Sequence, residues 1–462
     1  MKEGVELRYQ GVASGDSRGA GRTAGRSSSD RTGEDSQLSG PQPEASLGAL
    51  AVLPSRPVAL IATYENGLNV PPIVNAARSL EKAGYLVNIL QLPPNADELR
   101  YTVQHEGLGV SYSPQPLLPR GLGPLWRLER WLRFTAFLRQ KLVEMQPDVL
   151  VTIMLHPLAV VPPTELQRRQ LLVSCLYAIR DPRDAGRLDR LIFRKAWAKL
   201  KEADVVWVSD RFMARLAQDF GELPALPMVC AVGVPLDFLP EPTWPRDGWL
   251  RSEVRRAGAL IGDTGGCILL RAGAVGRQCG IEETLEAMEA LPDDFVFVML
   301  GRPDREYASF LAKEIERRGL LRRAFLWTRM PDDTWKRALR GADIGHMIHG
   351  PFEPGREKRT HDLNSCLSVC RLYYYFAAGL PIVSYDDPRM EALYAEVPCF
   401  RVARLSALSE DLKRILNELA ADSALRGALG RAARAAHVEC YNWERQFRPV
   451  MDAVLKGRSV QQ

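Results

Sequence analysis

The sequence predicts an α/β protein built from two doubly wound parallel-sheet domains. From Pro57 onward, short apolar segments with the length of buried strands alternate with amphipathic helical segments, which is typical of parallel α/β domains. A chain of 462 residues is long enough for two hydrophobic cores, and the proline-rich segment 236–245 interrupts the alternation near its middle. We therefore expect one domain at 56–235, a second at 246–440 and a terminal segment at 441–462, with the ligand site in the cleft between the domains.

The first 55 residues predict a disordered tail. They are rich in Ser, Gly and Arg and contain almost no aromatic residues, so they cannot bury enough surface to fold. The segment lacks the apolar core of a secretory signal, and its interspersed acids argue against a transit peptide.

In the first domain, runs of apolar and β-branched residues predict strands, and periodic apolar residues predict helices. The expected order is strand 57–64, helix 71–83, strand 86–92, helix 125–145, strand 148–154, strand 171–179, helix 188–203, strand 204–209, helix 211–220 and strand 228–234.

The second domain shows the same alternation. The expected order is strand 267–271, helix 281–291, strand 295–300, helix 307–318, strand 324–327, helix 334–341, strand 343–348, a helix closed by Gly379, strand 380–385 and a helical tail ending in 441–456.

The segment 361–388 is the most informative part of the chain. It reads as a polar loop, a helix with three consecutive tyrosines, and a buried strand. Gly379 stands where a helix end favours a left-handed residue, and Pro381 prevents continuation of the helix. A loop that leads into a helix N-terminus beside a parallel strand predicts an anion-binding site, because unpaired N–H groups and the helix dipole point outward.

Composition excludes several classes of function. A formal net charge of +5 suits an anionic ligand or an anionic membrane surface, but it is too diffuse to indicate a nucleic-acid partner. The eight cysteines include no CxxC pair, so we expect free thiols in a reducing cytoplasm and no structural zinc. No apolar run approaches the roughly 20 residues that a membrane-spanning helix needs.

Several motifs, in the right order over about four hundred residues, resemble those of a family of retaining glycosyltransferases that use nucleotide sugars and have the GT-B fold. The resembling segments are PDVLVTIMLHP (147–157), ADVVWVSDRFM (203–213), AVGVPLDFLPEP (231–242), LLRAGAVGRQCGIEETLEAMEA (269–290), FVFVMLGRPD (295–304), PDDTWKRALRGADIG (331–345) and RLYYYFAAGLPIV (371–383).

The resemblance implies two Rossmann-like domains that face each other across a cleft, with the last helix crossing back to the first domain. It implies transfer of a sugar from a UDP- or GDP-sugar to a glycan, a lipid-linked or a small-molecule acceptor, with retention and without a metal or another cofactor.

It also implies roles for residues of the 361–388 segment. Arg371 stands where the family carries Lys facing the diphosphate. Asn364 and Ser365 match residues that bind the donor sugar or phosphate, although simple helix capping explains them equally well. Tyr374 replaces a Glu that holds the ribose, and packing of a half-buried helix is the alternative for this tyrosine.

The glycine-rich loop of the second domain departs from the family pattern. Ala274 and Cys279 occupy the places of its phosphate-binding Arg and Lys. Arg277 can supply the missing charge, or it belongs to a solvated basic face. Gly276 permits close approach of the backbone to a phosphate.

In the first domain, the resemblance implies that His156, at the end of an apolar strand, lies near the reacting sugar. A structural histidine beside a proline is the alternative. The resemblance also implies that the backbone amide of Gly67, in the first strand-to-helix turn, lies near the diphosphate. The geometry of a helix start explains a glycine at this position equally well. His346 and His349 have no carboxylate cluster beside them in the sequence, so we expect no metal site.

The helix at 125–145 mixes aromatic and basic residues. This mixture suits peripheral contact with an anionic membrane, on the inner face. The interpretation that we favour from the sequence is an amphipathic helix that packs its aromatic stripe on a sheet.

Two other functions remain open at this point. Loss of the usual Glu and of two phosphate-binding cations is compatible with a catalytically weakened binding or scaffold protein of the same fold. A nucleotide-sugar epimerase of the same fold is the second.

Overall fold

The computed structural model describes residues 56–64, 70–94, 108–162, 171–176, 186–242, 246, 248–262, 265–328, 332–349 and 369–461. Residues 57–462 form one compact unit. The predicted tail at 1–55, and with it Gly67, Asn364 and Ser365, lie outside the described residues.

Within the described residues, the first sheet contains seven parallel strands in the order β3-β2-β1-β4-β5-β6-β7. The strands are β1 (Val58–Thr63), β2 (Leu86–Gln91), β3 (Gly109–Tyr112), β4 (Val149–Ile153), β5 (Leu171–Leu176), β6 (Val205–Val208) and β7 (Met228–Val229). The helices between them are α1 (Pro71–Lys82), α2 (Pro124–Met145), α3 (Leu155–Val160), α4 (Arg187–Leu200) and α5 (Arg211–Gly221).

Six described parallel strands form the second sheet, in the order β10-β9-β8-β11-β12-β13. The strands are β8 (Cys267–Ala272), β9 (Phe295–Leu300), β10 (Ala324–Trp327), β11 (Ile344–His346), β12 (Ile382–Tyr385) and β13 (Phe400–Ala403). The helices are α6 (Trp249–Arg256), α7 (Ile281–Met288), α8 (Arg305–Arg317), α9 (Asp332–Gly341), α10 (Cys370–Ala377), α11 (Glu391–Glu396), α12 (Leu408–Ala421), α13 (Ser423–Ala436) and α14 (Trp443–Gln461).

Each sheet has one point at which the strand order reverses. In the first sheet β1 pairs with β2 on one side and β4 on the other. In the second sheet β8 pairs with β9 and with β11. In doubly wound folds a ligand binds beyond the carboxyl ends of the strands at this switch point. The ends of β1, β4, β8 and β11 are therefore where functional side chains are expected.

The predicted fold class is confirmed: two parallel α/β sheets follow one another along the chain. Local features of the chain define the ends of several helices. The carboxylates of Asp210, Asp304 and Asp422 accept hydrogen bonds from backbone amides in the first turns of α5, α8 and α13. Gly379 has a φ of 59°, in the left-handed region, just beyond α10.

The predicted strand at 148–154 is shorter in the structure. The strand β4 ends at Ile153, and the short helix α3 follows. Met154 has a φ of 65°, which no strand residue adopts, so the chain turns sharply at that point. Strands β3 and β13 and helix α6 were not predicted from the sequence, and β13 interrupts the segment expected to be a helical tail.

The last strand of the first sheet is shorter than predicted, at two residues instead of seven. The chain leaves the sheet and forms an isolated parallel bridge between Val234 and Asn442. The amide of Trp443 donates to the carbonyl oxygen of Val234 at 2.9 Å. The segment after the first domain therefore pairs with the start of α14 instead of extending β7.

Helix α14 packs on the first sheet, although it follows the second domain in sequence. Trp443 and Phe447 are buried with Trp207 of β6, with ring centroids 6.2 and 5.6 Å from that indole. The indole nitrogen of Trp443 also donates to Ser79 of α1 at 2.9 Å. One turn of π-helix, His437–Tyr441, leads into this crossing.

None of the described helices is both long enough and apolar enough to cross a membrane.

Replacing Trp443 with Ala should lower the free energy of unfolding by about 3–5 kcal/mol, because a buried indole and its cavity are involved. Denaturant unfolding measures this change. The matched control is Leu455→Ala on the same helix, where the side chain is 43% exposed and the loss should stay below about 1 kcal/mol. Equal losses for the two variants would show that α14 is not anchored through Trp443.

Candidate functional site

The loop after β8 lies at the switch point of the second sheet. It runs from Gly273 to Gly280 and includes a 3₁₀ turn at Arg277–Cys279. Gly273 has a φ of 100°, which favours glycine. A Cβ on Gly301, after β9, would lie 1.7 Å from the carbonyl oxygen of Gly273. Only a glycine at 301 lets the loop lie this close to the neighbouring strand end.

Arg371, in the first turn of α10, lies beneath this loop. Its side chain is buried, with 3% of the residue exposed. Its Nε donates to the carbonyl oxygen of Ala272, and its Nη2 donates to that of Ala274 at 3.3 Å. Its Nη1 is buried and has no hydrogen-bond partner among the described residues. The guanidinium therefore holds the loop from behind and keeps one donor unused.

A second buried arginine supports the same loop. Arg271, the penultimate residue of β8, donates from Nε to Ala274 at 2.8 Å and from Nη1 to the carbonyl oxygen of Ile348 at 2.8 Å. Its Nη1 also lies 3.1 Å from Nδ1 of His346. Two positively charged groups thus meet the carbonyl oxygens of a single loop.

His346 is held neutral between these groups. Because a guanidinium only donates, Nδ1 of His346 accepts from Arg271, and the proton belongs on Nε2. That nitrogen lies 2.9 Å from the hydroxyl of Thr284, which donates to the carbonyl oxygen of Gly280 at 2.6 Å. Burial, with the charges of Arg271 and Arg371, lowers the pKa of His346 well below its ordinary value.

Tyr375 fixes α10 to the sheet. Its hydroxyl accepts from the amide of Ala272 at 3.0 Å and lies 2.9 Å from the carbonyl oxygen of Leu270. A Cβ on Gly345 would lie 2.6 Å from its ring. This contact sets the rotation of α10 and directs Arg371, one turn earlier, towards the loop.

The other tyrosine of interest, Tyr374, lies on a different side of α10. Its ring centroid is 4.4 Å from that of Trp335 on α9, edge to face, and 5.1 Å from that of Phe238 in the connector. The ring therefore takes part in an aromatic cluster, which is the packing alternative raised by the sequence.

Arg277 lies at the start of the 3₁₀ turn and is 44% exposed. Its guanidinium carbon lies 4.8 Å from the ring centroid of Phe310 and 5.2 Å from that of Tyr307, both on α8. A carboxylate oxygen of Glu282 is 3.6 Å away. Its neighbour Gly276 is extended, with a φ of −163°, so no positive φ requires glycine there.

A depression of about 580 Å³ lies beside Arg277. It is lined by Arg277, Arg305, Glu306, Ser309, Phe310 and Lys313. The lining includes neither of the buried arginines, and among the loop residues it includes only Arg277.

His156 lies in the first turn of α3 and not at a strand end as predicted, because β4 ends three residues earlier. Its ring stacks on Tyr64, with centroids 4.7 Å apart, and meets Phe193 edge to face at 5.2 Å. Its Nε2 is 3.8 Å from a carboxylate oxygen of Asp189. His156 is thus near the carboxyl ends of β1 and β4, at the switch point of the first sheet.

Tyr64 joins this histidine to α2. The guanidinium carbon of Arg130 lies 5.2 Å from the ring centroid of Tyr64. Burial raises the pKa of Tyr64 to about 12, so its hydroxyl stays protonated at neutral pH. We call Tyr64, Arg130, His156, Asp189 and Phe193 the His156 cluster.

The predicted site residues that the structure describes fall into three places, and Tyr374 lies apart from the others, in the cluster with Trp335 and Phe238. Arg371, Arg277 and Gly276 belong to or contact the loop after β8, and His156 lies at the first sheet. In the part of the chain that the structure describes, no group of three or more His, Cys, Asp or Glu residues could hold a metal ion.

Sequence reasoning assigned no functional role to Arg271, Tyr375 or Tyr64. One signal for Arg271 was available: a lone charge at the end of an apolar strand is rarely solvated, because such strands are buried on both faces. The role of Tyr375 had no sequence signal to separate it from its two tyrosine neighbours.

Stability should fall as the pH drops below about 6.5, the ordinary pKa of histidine, partly because of His346. The unfolded chain binds a proton at this histidine while the folded state resists it, so stability rises with pH across the interval. His346→Gln retains an acceptor for Arg271 and a donor for Thr284 but does not titrate. Denaturant unfolding between about pH 7.5 and pH 5 should show a shallower loss for the variant. Parallel pH profiles would contradict a neutral buried His346.

Comparison with known proteins gives a structural relationship and no sequence relationship. No protein-family model matches the chain, and no curated protein is significantly similar in sequence. The structure is similar to that of WaaG, a glycosyltransferase involved in lipopolysaccharide biosynthesis, with a TM-score of 0.59, 14% identity and coverage of 86% of this chain and 99% of that one.

Two further solved structures are similar. Sucrose-phosphate synthase from Thermosynechococcus elongatus has a TM-score of 0.64 at 14% identity, covering 88% of this chain and 100% of the other. Anabaena HepE in complex with UDP and glucose has a TM-score of 0.64 at 15% identity, covering 86% and 99%. With its two doubly wound sheets, the chain has the GT-B fold of these proteins.

Proposed function

We propose that the protein is a retaining glycosyltransferase that transfers a sugar from a UDP- or GDP-sugar to a glycan, a lipid-linked or a small-molecule acceptor. The observation that carries the proposal is the loop after β8, backed by the buried guanidinium of Arg371, whose Nη1 has no hydrogen-bond partner among the described residues. The GT-B fold supports it, since HepE was solved with UDP and with UDP-glucose.

The chemistry requires positive charge near the departing diphosphate. Arg371 is bound by carbonyl oxygens, which are neutral, so its net charge is not cancelled by these partners. A unit charge about 6 Å from a phosphate charge contributes roughly 3 kcal/mol at an effective dielectric constant near 20. Positive charge that is fixed before the reaction stabilises charge that develops in the transition state.

Buried arginines can also replace the two phosphate-binding cations that the glycine-rich loop lacks. Ala274 and Cys279 stand at the usual places of a phosphate-binding Arg and Lys. Arg271 and Arg371 bring their guanidinium groups to the same loop from beneath. We propose that they provide this charge, and that arginine charge makes a divalent metal unnecessary. Arg277 would then add a third, more exposed cation.

On the first domain, the proposed role of His156 is to hydrogen-bond the transferred sugar near the reacting carbon. Support comes from its fixed orientation: the ring is stacked on Tyr64 and faces Asp189 with Nε2. A residue held by packing on one face and a carboxylate on one edge loses little freedom when substrate binds. Gly67, Asn364 and Ser365 complete the proposed donor site on the resemblance alone.

A second candidate is a binding protein of the same fold with little or no transfer activity. The packing of Tyr374 against Trp335 and Phe238 favours it, because the carboxylate that would hold the ribose is replaced by a ring engaged elsewhere. One hydroxyl cannot reproduce the two-point contact of a carboxylate with adjacent ribose hydroxyls. Nucleotide binding is common to both candidates, and sugar transfer separates them.

UDP or GDP at millimolar concentration should raise the melting temperature, and Arg371→Met should weaken nucleotide binding by about 2 kcal/mol through loss of a charge-assisted contact. Titration calorimetry measures the affinity. The matched control is Arg434→Met, because Arg434 donates to the carbonyl oxygen of Ala377 at the other end of α10. That variant should lose stability without losing affinity.

An Arg371→Met protein that is folded and binds nucleotide as tightly as the wild type would overturn the proposed phosphate site. Product analysis with UDP- and GDP-sugars distinguishes transfer from epimerisation. Activity abolished by EDTA would contradict the metal-independent mechanism.

Tyr374→Phe tests whether the hydroxyl of Tyr374 serves the ribose. The ring remains, so the melting temperature should stay within about one or two degrees, while nucleotide affinity should fall by about 1 kcal/mol for one lost hydrogen bond. Tyr374→Ala removes the ring as well and should lower the melting temperature through lost contacts with Trp335 and Phe238. Unchanged affinity in Tyr374→Phe would restrict Tyr374 to a packing role.

A further inference from the structure

A set of leucines before and along the first half of α2 is exposed to solvent. Each is between 37% and 81% exposed. We call this set the leucine face. Its members are Leu117, Leu118, Leu122, Leu125, Leu128 and Leu132.

Helix α2 has two apolar sides, and only one packs in the protein. Phe134, Leu138 and Leu142 are buried against the first sheet. Leu125, Leu128 and Leu132 recur at spacings of three and four residues, which places them on one side of the helix, and all three are exposed. A scattered exposed leucine is ordinary, but a contiguous apolar set marks an interaction surface.

The leucine face is held in shape by Glu129. Its two carboxylate oxygens accept hydrogen bonds from the amides of Leu117 and Leu118 at 2.9 and 2.8 Å. Arg133 donates to the same carboxylate at 2.8 Å. The loop before the helix is therefore tied to the helix, and the one acid in this surface is paired.

The surface is strongly basic. Residues 117–145, which include all of α2, contain six basic residues and two acidic residues, a formal charge of +4, and Lys141 is paired with Glu144 at 2.6 Å. Arg127 and Arg139 lie exposed on α2 among the leucines. Apolar side chains that emerge beside clustered cations fit a surface with negative headgroups above an apolar interior.

We propose that the leucine face docks on an anionic lipid bilayer, with the leucines in the headgroup region and the basic residues against the lipid phosphates. Self-association is disfavoured by the same charges, because two copies of this surface would bring like charges together. The side chains that would enter the bilayer are leucines. The aromatic Phe134 of the same helix does not take part, because it is buried in the domain core.

Docking would place the His156 cluster next to the bilayer. Arg130 lies 5.1 Å from the ring centroid of Trp126 on α2 and 5.2 Å from that of Tyr64. Tyr64 in turn stacks on His156. Among the proposed acceptors, this arrangement favours the lipid-linked class, a step that rests on the proposed function. Membrane docking itself does not rest on it.

The test is flotation of the full-length protein with vesicles of phosphatidylcholine alone or with about 30% phosphatidylglycerol. We expect at least about tenfold more protein on the anionic vesicles, and release as salt approaches about 0.5 M. Leu125→Glu/Leu132→Glu should reduce binding by at least about tenfold. The matched control is Leu260→Glu/Leu321→Glu in the second domain, whose leucines are 52% and 61% exposed against 58% and 51% for the test pair.

Absence of vesicle binding, equal binding to neutral vesicles, or equal losses for the two double variants would each overturn the proposal. The alternative occupant of the leucine face is a second copy of the chain, and sedimentation analysis tests for it. A dimer that forms in the wild type and is absent in the Leu125→Glu/Leu132→Glu variant would identify the surface as a protein interface and overturn docking. Nucleotide binding measured on the same proteins distinguishes failure of the membrane-docking proposal from failure of the proposed transferase function. Vesicle binding without nucleotide binding would reject the transferase and leave the membrane surface intact.

Discussion

The burial of two arginines beneath one loop is the constraint on which the second domain depends. Taking a guanidinium out of water is costly unless its donors are satisfied, and here carbonyl oxygens accept from Nε and Nη1 of Arg271 and from Nε and Nη2 of Arg371. These contacts hold the backbone of the loop, in which Gly273 has a φ of 100° and lies close to Gly301, and burial with the two arginine charges keeps His346 neutral. Tyr375 locks α10 so that Arg371 reaches the loop at all.

The two sheets use their switch points differently. In the second sheet, the strand ends carry buried cations and glycines, which suits charge that arrives with a ligand. In the first sheet, the strand ends carry an aromatic cluster around His156, with Asp189 and Arg130 at its edge. Such a cluster suits a neutral ligand ring that carries hydroxyl groups. One face of that ring would pack on the aromatic side chains, and its hydroxyl groups would accept hydrogen bonds at the edge. This division of charge between the domains agrees with the proposed transfer from a charged donor.

Charge outside these sites is also unevenly distributed. Residues 117–145 carry a formal charge of +4 out of the chain's net +5, so the remaining residues nearly balance one another. The exposed cations of α2 and the buried arginines differ in the distance over which their charges act. Arg271 and Arg371 are desolvated and act over a few ångströms, whereas the exposed cations of α2 act over about a Debye length and lose their effect in salt. The first pair suits a bound ligand, and the second group suits a surface.

The sequence by itself determined the fold class, most element positions and the helix end at Gly379, because these features depend on residues close together in the chain. Only the tertiary structure decided which side chains do what. Arg371 finds its partners 99 and 97 positions away, and three consecutive tyrosines are equivalent until helix rotation assigns Tyr375 to the sheet and Tyr374 to Phe238 and Trp335. His156 was placed on a strand because apolar residues continue past Ile153, and the turn at Met154 is set by packing. The leucine face was hidden for the same reason: α2 has two apolar sides, and only the position of the sheet shows which one is left to solvent.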